Sequence, residues 1–488
     1  MRFRTHPSNL SSSETCFYFL KNLSYIYVLY LDCGIAAPAF CGAVRKSTVS
    51  LEGAPMNPLA TALNDRLQEI APFLFRVLSR KGKESYFPKS GILAQSMEAR
   101  ETAINATIGI ALEDDRSPMH LDAIGQRVHL DPKRVFPYAG CSGLPELRQQ
   151  WKKLQLEKNP ALAGKTTSLP VVTCALSHGL SIVSKLFLDP GDTVIIADKY
   201  WGNYNMLVQE RLDVHFDLYP FFAGEGLNLA GLRERLQAAG SGKKVLIMNF
   251  PNNPAGYTPT KIEMRELVQL IKESAEAGND IVVICDDAYF GLVYEADVDT
   301  QSLFAYLAGL HERVLAVKVD GPTKEDYVWG FRVGFVTYAG KNLSEEALRI
   351  LEDKTAGGIR SSISSSPHIS QSLLLEAFAD PDYAREKREK YALLQSRYKK
   401  VKAILAANRE RYVPYFRPLP FNSGYFMCVE LAPGLDGNAV RRTLIEHFQT
   451  GVIFIRGVIR LAYSAVPETR LETLFENLRA ACEMNLHA

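Results

Sequence analysis

Lys324 closes the segment Gly321-Pro-Thr-Lys324, and Arg332 follows eight residues later between Gly330 and Gly334. An amine held beside a guanidinium and away from water has a lowered pKa, and its free base attacks carbonyl carbon. Tyr327 and Trp329 give it aromatic surroundings. A lone lysine is ordinarily a solvated surface group. Lys318 is read here as such a group, and it is the next candidate amine should Lys324 not serve. Upstream, the apolar run 281–286 ends in two acids, Asp286 and Asp287, followed by Ala-Tyr-Phe-Gly291. A carboxylate at the end of a buried strand is costly without a partner, so Asp286 either meets one or caps the following turn. The segment Asn249-Phe-Pro-Asn-Asn-Pro-Ala-Gly256 projects Asn252 and Asn253 from another strand end, as ligand donors or as an ordinary turn.

The surrounding pattern supplies elements that can hold these groups together. From residue 169 onward, β-branched runs at 171–174, 193–197, 214–219, 245–249, 281–286 and 313–319 alternate with amphipathic segments such as 177–188, 229–239 and 260–277. Such alternation predicts an α/β domain with a mainly parallel sheet sandwiched by helices. Sheets of that kind bind ligands at the carboxyl ends of their strands, which places the loops after Cys174, Ala197, Asn249 and Ile284 around one crevice. Beyond Gly340 the pattern changes to long helices, including a charged one over 383–411, with strand-like runs at 425–431 and 459–463. The expected organisation is a large domain over 116–340 and a smaller α+β domain built from 56–115 and 341–488. Within the latter, 57–83 reads as helical, with Leu59, Leu63, Leu67, Ile70 and Leu74 recurring every three or four residues.

In order and spacing, the segments between about 104 and 466 resemble the class I/II aminotransferases of the fold-type I pyridoxal-phosphate enzymes. That resemblance implies pyridoxal 5'-phosphate as cofactor, amino acids and 2-oxo acids as substrates, and a homodimer. Lys324 matches the Schiff-base lysine that also shuttles the substrate's Cα proton. Asp286 matches the partner of the pyridine nitrogen, and Tyr289 and Asn253 the donors to the phenolic oxygen. Arg332 matches the phosphate-binding guanidinium. Thr173-Cys-Ala-Leu-Ser177 leads from strand to helix where phosphate is collected, through the amides of Ala175 and Leu176 and the hydroxyl of Ser177. Trp201 corresponds to the aromatic that stacks on the pyridine ring, and Tyr138 to a tyrosine reaching the phosphate across the dimer interface. Arg460 matches the α-carboxylate arginine, with Arg456 as its rival because 451–460 is shorter than usual. Gly109 sits where the amino-terminal arm passes the substrate, and Arg360 near where a neighbouring subunit supplies an arginine to dicarboxylates. At Gly321 the family usually carries a serine that donates to the phosphate. Thr323 partly compensates there, or the phosphate is held with one donor fewer, a loss of about 1.5–3 kcal/mol.

Composition sets the remaining bounds. The chain has 488 residues, 47% of them apolar and 23% charged, with a net charge of +2, a balance that gives no reason to expect nucleic acid or an acidic membrane as partner. Eight cysteines form no CxxC pair, so neither a metal site nor a disulfide framework is expected, and a cytoplasmic setting fits. Residues 1–55 hold few acids and two apolar stretches, 23–31 and 33–44, each too short to span a bilayer. They read as a signal, anchor or transit segment, or as an extension ahead of a functional start at Met56, with no stable membrane span. Gly240-Ser-Gly-Lys-Lys244 lies after a helix and before a strand, the reverse of a phosphate-binding P-loop, and reads as a helix end. The competing functions are a lyase of the same fold (a C–S β-lyase or amino-acid decarboxylase), a ligand sensor, and an inactive homologue.

Overall fold

A computed structural model describes residues 56–86, 91–125, 130–238 and 242–486. The extension 1–55 and residues 240 and 241 of the glycine–lysine segment lie outside that set. Asn57–Ala488 forms one compact unit. Its first stretch is not one helix but three, α1 Pro58–Ile70, α2 Pro72–Val77 and α3 Arg80–Glu84. Pro72 causes the first break: the residue before a proline is driven out of the helical region, and Ala71 takes φ −152° and ψ 68°. A fourth short helix, α4 Ile92–Glu98, follows.

The central sheet has seven strands: β1 Val171–Cys174, β2 Thr193–Ala197, β3 His215–Tyr219, β4 Lys243–Asn249, β5 Asp280–Asp286, β6 Val314–Asp320 and β7 Val333–Gly340. Their spatial order is β1-β7-β6-β5-β4-β2-β3. The pairs β6/β5, β5/β4, β4/β2 and β2/β3 are parallel, and only β7 runs against its neighbours. The expected mainly parallel sheet is therefore present, with one strand, 333–340, that the sequence pattern left within the loop around Arg332. Both faces are covered, so the strands are apolar along their length. Helices α5 Pro145–Lys158, α6 Ala175–Phe187 and α7 Lys261–Glu276 pack on the sheet. In α5, Trp151 stacks on Phe335 of β7 with centroids 4.3 Å apart. In α7, Thr260 and Glu263 form a capping box, and Met264, Leu267, Leu270 and Ile271 make the buried stripe.

After β7 come α8 Glu345–Ser362 and the long α9 Tyr383–Ala407, then a second sheet of β8 Phe416–Pro418, β9 Met427–Leu431, β10 Ile453–Ile455 and β11 Val458–Leu461, in the order β8-β9-β11-β10. A final helix, α10 Leu471–Leu486, follows it. The loop after β4 is pressed against this sheet at Gly256, where φ is +72° and an added Cβ would stand 1.8 Å from the Phe426 carbonyl oxygen. Gly256→Ala is therefore expected to lower stability by more than about 1 kcal/mol, measured as the denaturant midpoint of the purified chain. Among the described residues no helix is long and apolar enough to cross a membrane.

Candidate active site

The topology brings the carboxyl ends of β1, β2, β4, β5 and β6 to one edge of the sheet, and antiparallel β7 starts from that same edge. A cavity of about 350 Å³ lies there. Its wall contains Ala175, Leu176 and Ser177 after β1, Trp201 after β2, Asn253 after β4, Asp286 and Tyr289 at β5, Thr323 and Lys324 after β6, and Arg332 before β7. Arg460 of β11, Phe426, Thr107 and Gly109 close it from the other side. Twelve of the fourteen expected site residues are thus gathered in one place. The other two are not: Tyr138 is 92% exposed, and Arg360 lies exposed on α8, donating to Ser364 Oγ at 2.6 Å. Both were expected to act on a neighbouring subunit, and neither joins the cavity of its own chain.

Lys324 follows the end of β6 in a short turn whose carbonyl accepts a hydrogen bond from Tyr425 OH at 2.7 Å. Its Nζ lies 5.2 Å from the centre of the Tyr289 ring. Burial, reinforced by Arg332 and opposed by Asp286, pushes this amine down to about 8. A lysine depressed in this way is increasingly uncharged above pH 8, whereas a solvated one stays protonated past pH 10. The rate at which Lys324 is trapped by reductive alkylation is expected to rise with a midpoint near pH 8, followed by peptide mass spectrometry.

Asp286 ends β5 buried, and its isolation is relieved by few donors. Ala288 N–H donates to Oδ1 at 3.2 Å, and Tyr204 OH donates to Oδ2. Desolvation raises this carboxyl to about 6, while Tyr204 pulls it back. Tyr204 was not singled out by the sequence: a tyrosine three residues after Trp201 carries no charge signal, and its partner is 82 positions away. It immediately precedes a π-helical turn, Asn205–Glu210, a deviation common at functional sites. Tyr204→Phe is expected to lower kcat/KM roughly 10-fold, consistent with about 1.5 kcal/mol for a hydrogen bond to a charged group, in steady-state assays.

Next to Asp286, Asn249 anchors the loop by donating from Nδ2 to the Asp286 carbonyl at 2.8 Å and accepting from the Asn253 N–H at 2.8 Å. Asn253 Oδ1 accepts from Arg460 Nη1 at 3.3 Å, which leaves its amide N–H₂ as the group available to a ligand. Arg460 Nη2 donates to the Thr107 carbonyl at 3.0 Å, and the guanidinium carbon lies 4.2 Å over the Phe426 ring. Among the described residues, the buried Nε of Arg460 has no partner. The guanidinium lines the cavity, where its charge suits an anionic ligand group. Arg456, by contrast, is committed elsewhere: its Nη1 donates to the Tyr200 carbonyl at 2.6 Å and its guanidinium stacks 3.4 Å from that ring.

The opposite end of the cavity suits a phosphate. Arg332 keeps an exposed guanidinium there, with φ +55°. Ser177 and Leu176 of the first turn of α6 lie beside it, where a helix N-terminus favours anions, while the Ala175 N–H is spent on the Arg332 carbonyl at 3.0 Å. The backbone beneath is packed too closely for side chains. A Cβ at Gly321 would stand 2.9 Å from the Val333 carbonyl oxygen, and one at Gly334 would stand 2.6 Å from the Ala175 carbonyl carbon. That explains glycine at 321, and Thr323 is the nearby hydroxyl that lines the cavity instead, its Oγ1 3.4 Å from the Val333 carbonyl. His178 of α6 accepts from the Cys174 N–H at 3.1 Å and reaches Ser362 Oγ at 2.9 Å. Lys318, read as a surface lysine, is fully buried against Asp287 and Asp320.

The family Aminotransferase class I and II matches residues 104–478. The chain belongs to that family. Among its relatives, the probable aspartate/prephenate aminotransferase of Thermus aquaticus is 28% identical over 50% of this chain and 59% of its own length. The aspartate/prephenate aminotransferase of Cereibacter sphaeroides is 28% identical over 80% of this chain and 94% of its own length. An aminotransferase structure from Anaerococcus prevotii superposes with a TM-score of 0.73 at 21% identity, covering 83% of this chain and 98% of that one. The superposition shows the same fold. Members of the family are pyridoxal-phosphate enzymes.

The cavity of this aminotransferase fits such a cofactor on its own features. A buried amine, a buried carboxylate, an aromatic wall from Trp201 and an anion cradle at Arg332 and Ser177 surround one space. Helix α4 also contributes Ile92 and Ser96 to the wall. Gln95 holds that helix in place by a two-way pairing with the Phe454 backbone, at 2.9 and 2.8 Å. No motif marked this segment, because its role comes from a long-range contact.

Proposed function

We propose that this chain is a pyridoxal 5'-phosphate-dependent aminotransferase that moves an amino group between an α-amino acid and a 2-oxo acid. The observation that carries the reading is the convergence of Lys324, Asp286, Arg332 and Arg460 on one cavity. The cofactor's chemistry is that of an electron sink for the pair left when a substrate Cα proton departs. Lys324, with its amine poised near neutrality, would take that proton from Cα and return it to the cofactor's C4′, two bonds away across the amino nitrogen. Asp286 holds a proton on the ring nitrogen, and Tyr204 fixes the carboxylate's orientation. The Asn253 amide and the Tyr289 hydroxyl donate to the phenolic oxygen, and Trp201 covers a ring face. Arg332, Ser177, Thr323 and the Leu176 amide hold the phosphate, whereas the Ala175 N–H expected to join them donates to the Arg332 carbonyl at 3.0 Å.

Arg460 binds the substrate α-carboxylate, with Gly109 beside it leaving room for the ligand. The relatives are named for aspartate and prephenate or for N-acetyl-LL-diaminopimelate, all of which are carboxylates. Further parts of the proposal are a homodimer, in which Tyr138 reaches the partner's phosphate and Arg360 the partner's substrate, a cytoplasmic setting, and a division into a large domain (116–340) and a small one (56–115 with 341–488). Two separate sheets support that division. A panel of amino donors tests the reaction. Stoichiometric amino transfer to a 2-oxo acid is expected, and release of ammonia with pyruvate, or of carbon dioxide, would overturn it.

A further inference from the structure

Asp287, next to Asp286, is not part of the cavity wall, yet it is only 3% exposed. Its Oδ2 accepts from Ser302 Oγ at 2.6 Å and from Lys318 Nζ. Lys318, on β6, is fully buried, lies 4.2 Å over the Phe290 ring and stands 3.5 Å from Asp320 Oδ2. Asp320 in turn accepts from Trp151 Nε1 at 3.0 Å and from Gln155 Nε2 at 3.1 and 3.2 Å. One ammonium thus serves two buried carboxylates, so with all three ionised the cluster carries one net negative charge directly behind Asp286. A buried ionic cluster is seldom the cheapest way to fill a core. Rules broken beside a site point to a use there.

We propose that Lys318 and Asp287 are positioning residues for the cofactor's ring nitrogen: Lys318 keeps Asp287 an anion in the dry interior, and that anion strengthens the hold of Asp286 on the ring-nitrogen proton. The inference rests on the reading of Asp286 as the ring nitrogen's partner. Among the described residues, Tyr204, Tyr289, Lys324, Asp287 and Cys285 face Asp286. Lys318, Asp320, Ser302 and Cys285 face Asp287. Burial drives the Asp287 carboxyl up, and Lys318 and Ser302 draw it back. The charge of Asp287 in turn raises Asp286, whereas Lys324 lowers it. A negative neighbour favours the protonated form of any base at the site, so the field of Asp287 works in the direction the cofactor needs.

The test uses holoenzyme loaded with ring-¹⁵N pyridoxal phosphate, with the nitrogen shift followed against pH. Asp287→Asn is expected to lose the ring proton about one pH unit below the wild type, the size of a single charge interaction across a few ångströms. Lys318→Met combined with Asp287→Leu leaves neither member of the pair, carries the test if the single variant fails to fold, and is expected to shift the same way by less. Asp286→Asn is the reference and is expected to shift furthest. If both Asp287 variants titrate with the wild type and only their thermal midpoints fall, the cluster is structural and the inference is overturned. If Asp286→Asn itself titrates with the wild type, the assignment of Asp286 fails instead, and the inference fails with it.

Discussion

Lys324→Ala is expected to lower kcat for transamination by about 10,000-fold, the upper range for removing a group that moves a proton in the rate-determining region. The same change is expected to abolish the visible absorbance of cofactor joined to the protein, while circular dichroism stays that of the parent. The physical reason is specific to this position. The amine is buried, its charged state is destabilised by desolvation and by Arg332, and Asp286 only partly offsets that. It stands in the same wall as Trp201 and Tyr289. Lys318, the buried amine on β6, cannot substitute: two carboxylates hold its charge and raise its proton affinity, so it offers no free base near neutral pH. Loss of activity with retained cofactor binding is the expected separation, because Arg332, Ser177 and Asp286 remain. Equilibrium dialysis of the variant with pyridoxal phosphate checks it.

Arg460→Met is expected to lower kcat/KM for amino acids by about 30- to 1000-fold, corresponding to about 2–4 kcal/mol for truncating one partner of a buried charge contact. Arg460 is only 3% exposed and is braced by Thr107 and Asn253. An incoming carboxylate meets the guanidinium where it lines the cavity. The same substitution is expected to matter far less for primary amines that lack a carboxylate, which separates loss of recognition from damage to the fold. Arg456→Met is the control. Its guanidinium is spent on the Tyr200 carbonyl and ring, so it is expected to change stability more than KM.

The sequence read the parallel strands well because buried strands are continuous apolar runs: 171–174 and 193–197 agree to the residue, and the others to within two. It missed 333–340, where Gly334 and Gly340 interrupt the β pattern. The structure shows why glycine is needed at 334, since a Cβ there would collide with the Ala175 backbone. Charged or rigid residues at strand ends marked most of the cavity wall, as with Asp286, Asn253 and Arg332. Groups that act through long-range contacts gave no signal, as with Tyr204 against Asp286 and α4 against the Phe454 backbone. Lys318 was misread because a lysine's type does not reveal burial; only the approach of β5 and β6 pairs it with Asp287. The single helix expected over 57–83 failed at Pro72, a local rule that periodicity alone outvoted.

The central claim is that Lys324 is the amine that meets the cofactor. Incubating the full chain with pyridoxal phosphate, reducing with borohydride and mapping the digest by mass spectrometry tests it directly. A stable phosphopyridoxyl mass is expected on the peptide containing Lys324, at one per chain. The same mass on Lys318 or another lysine, with Lys324 unmodified, would contradict the account.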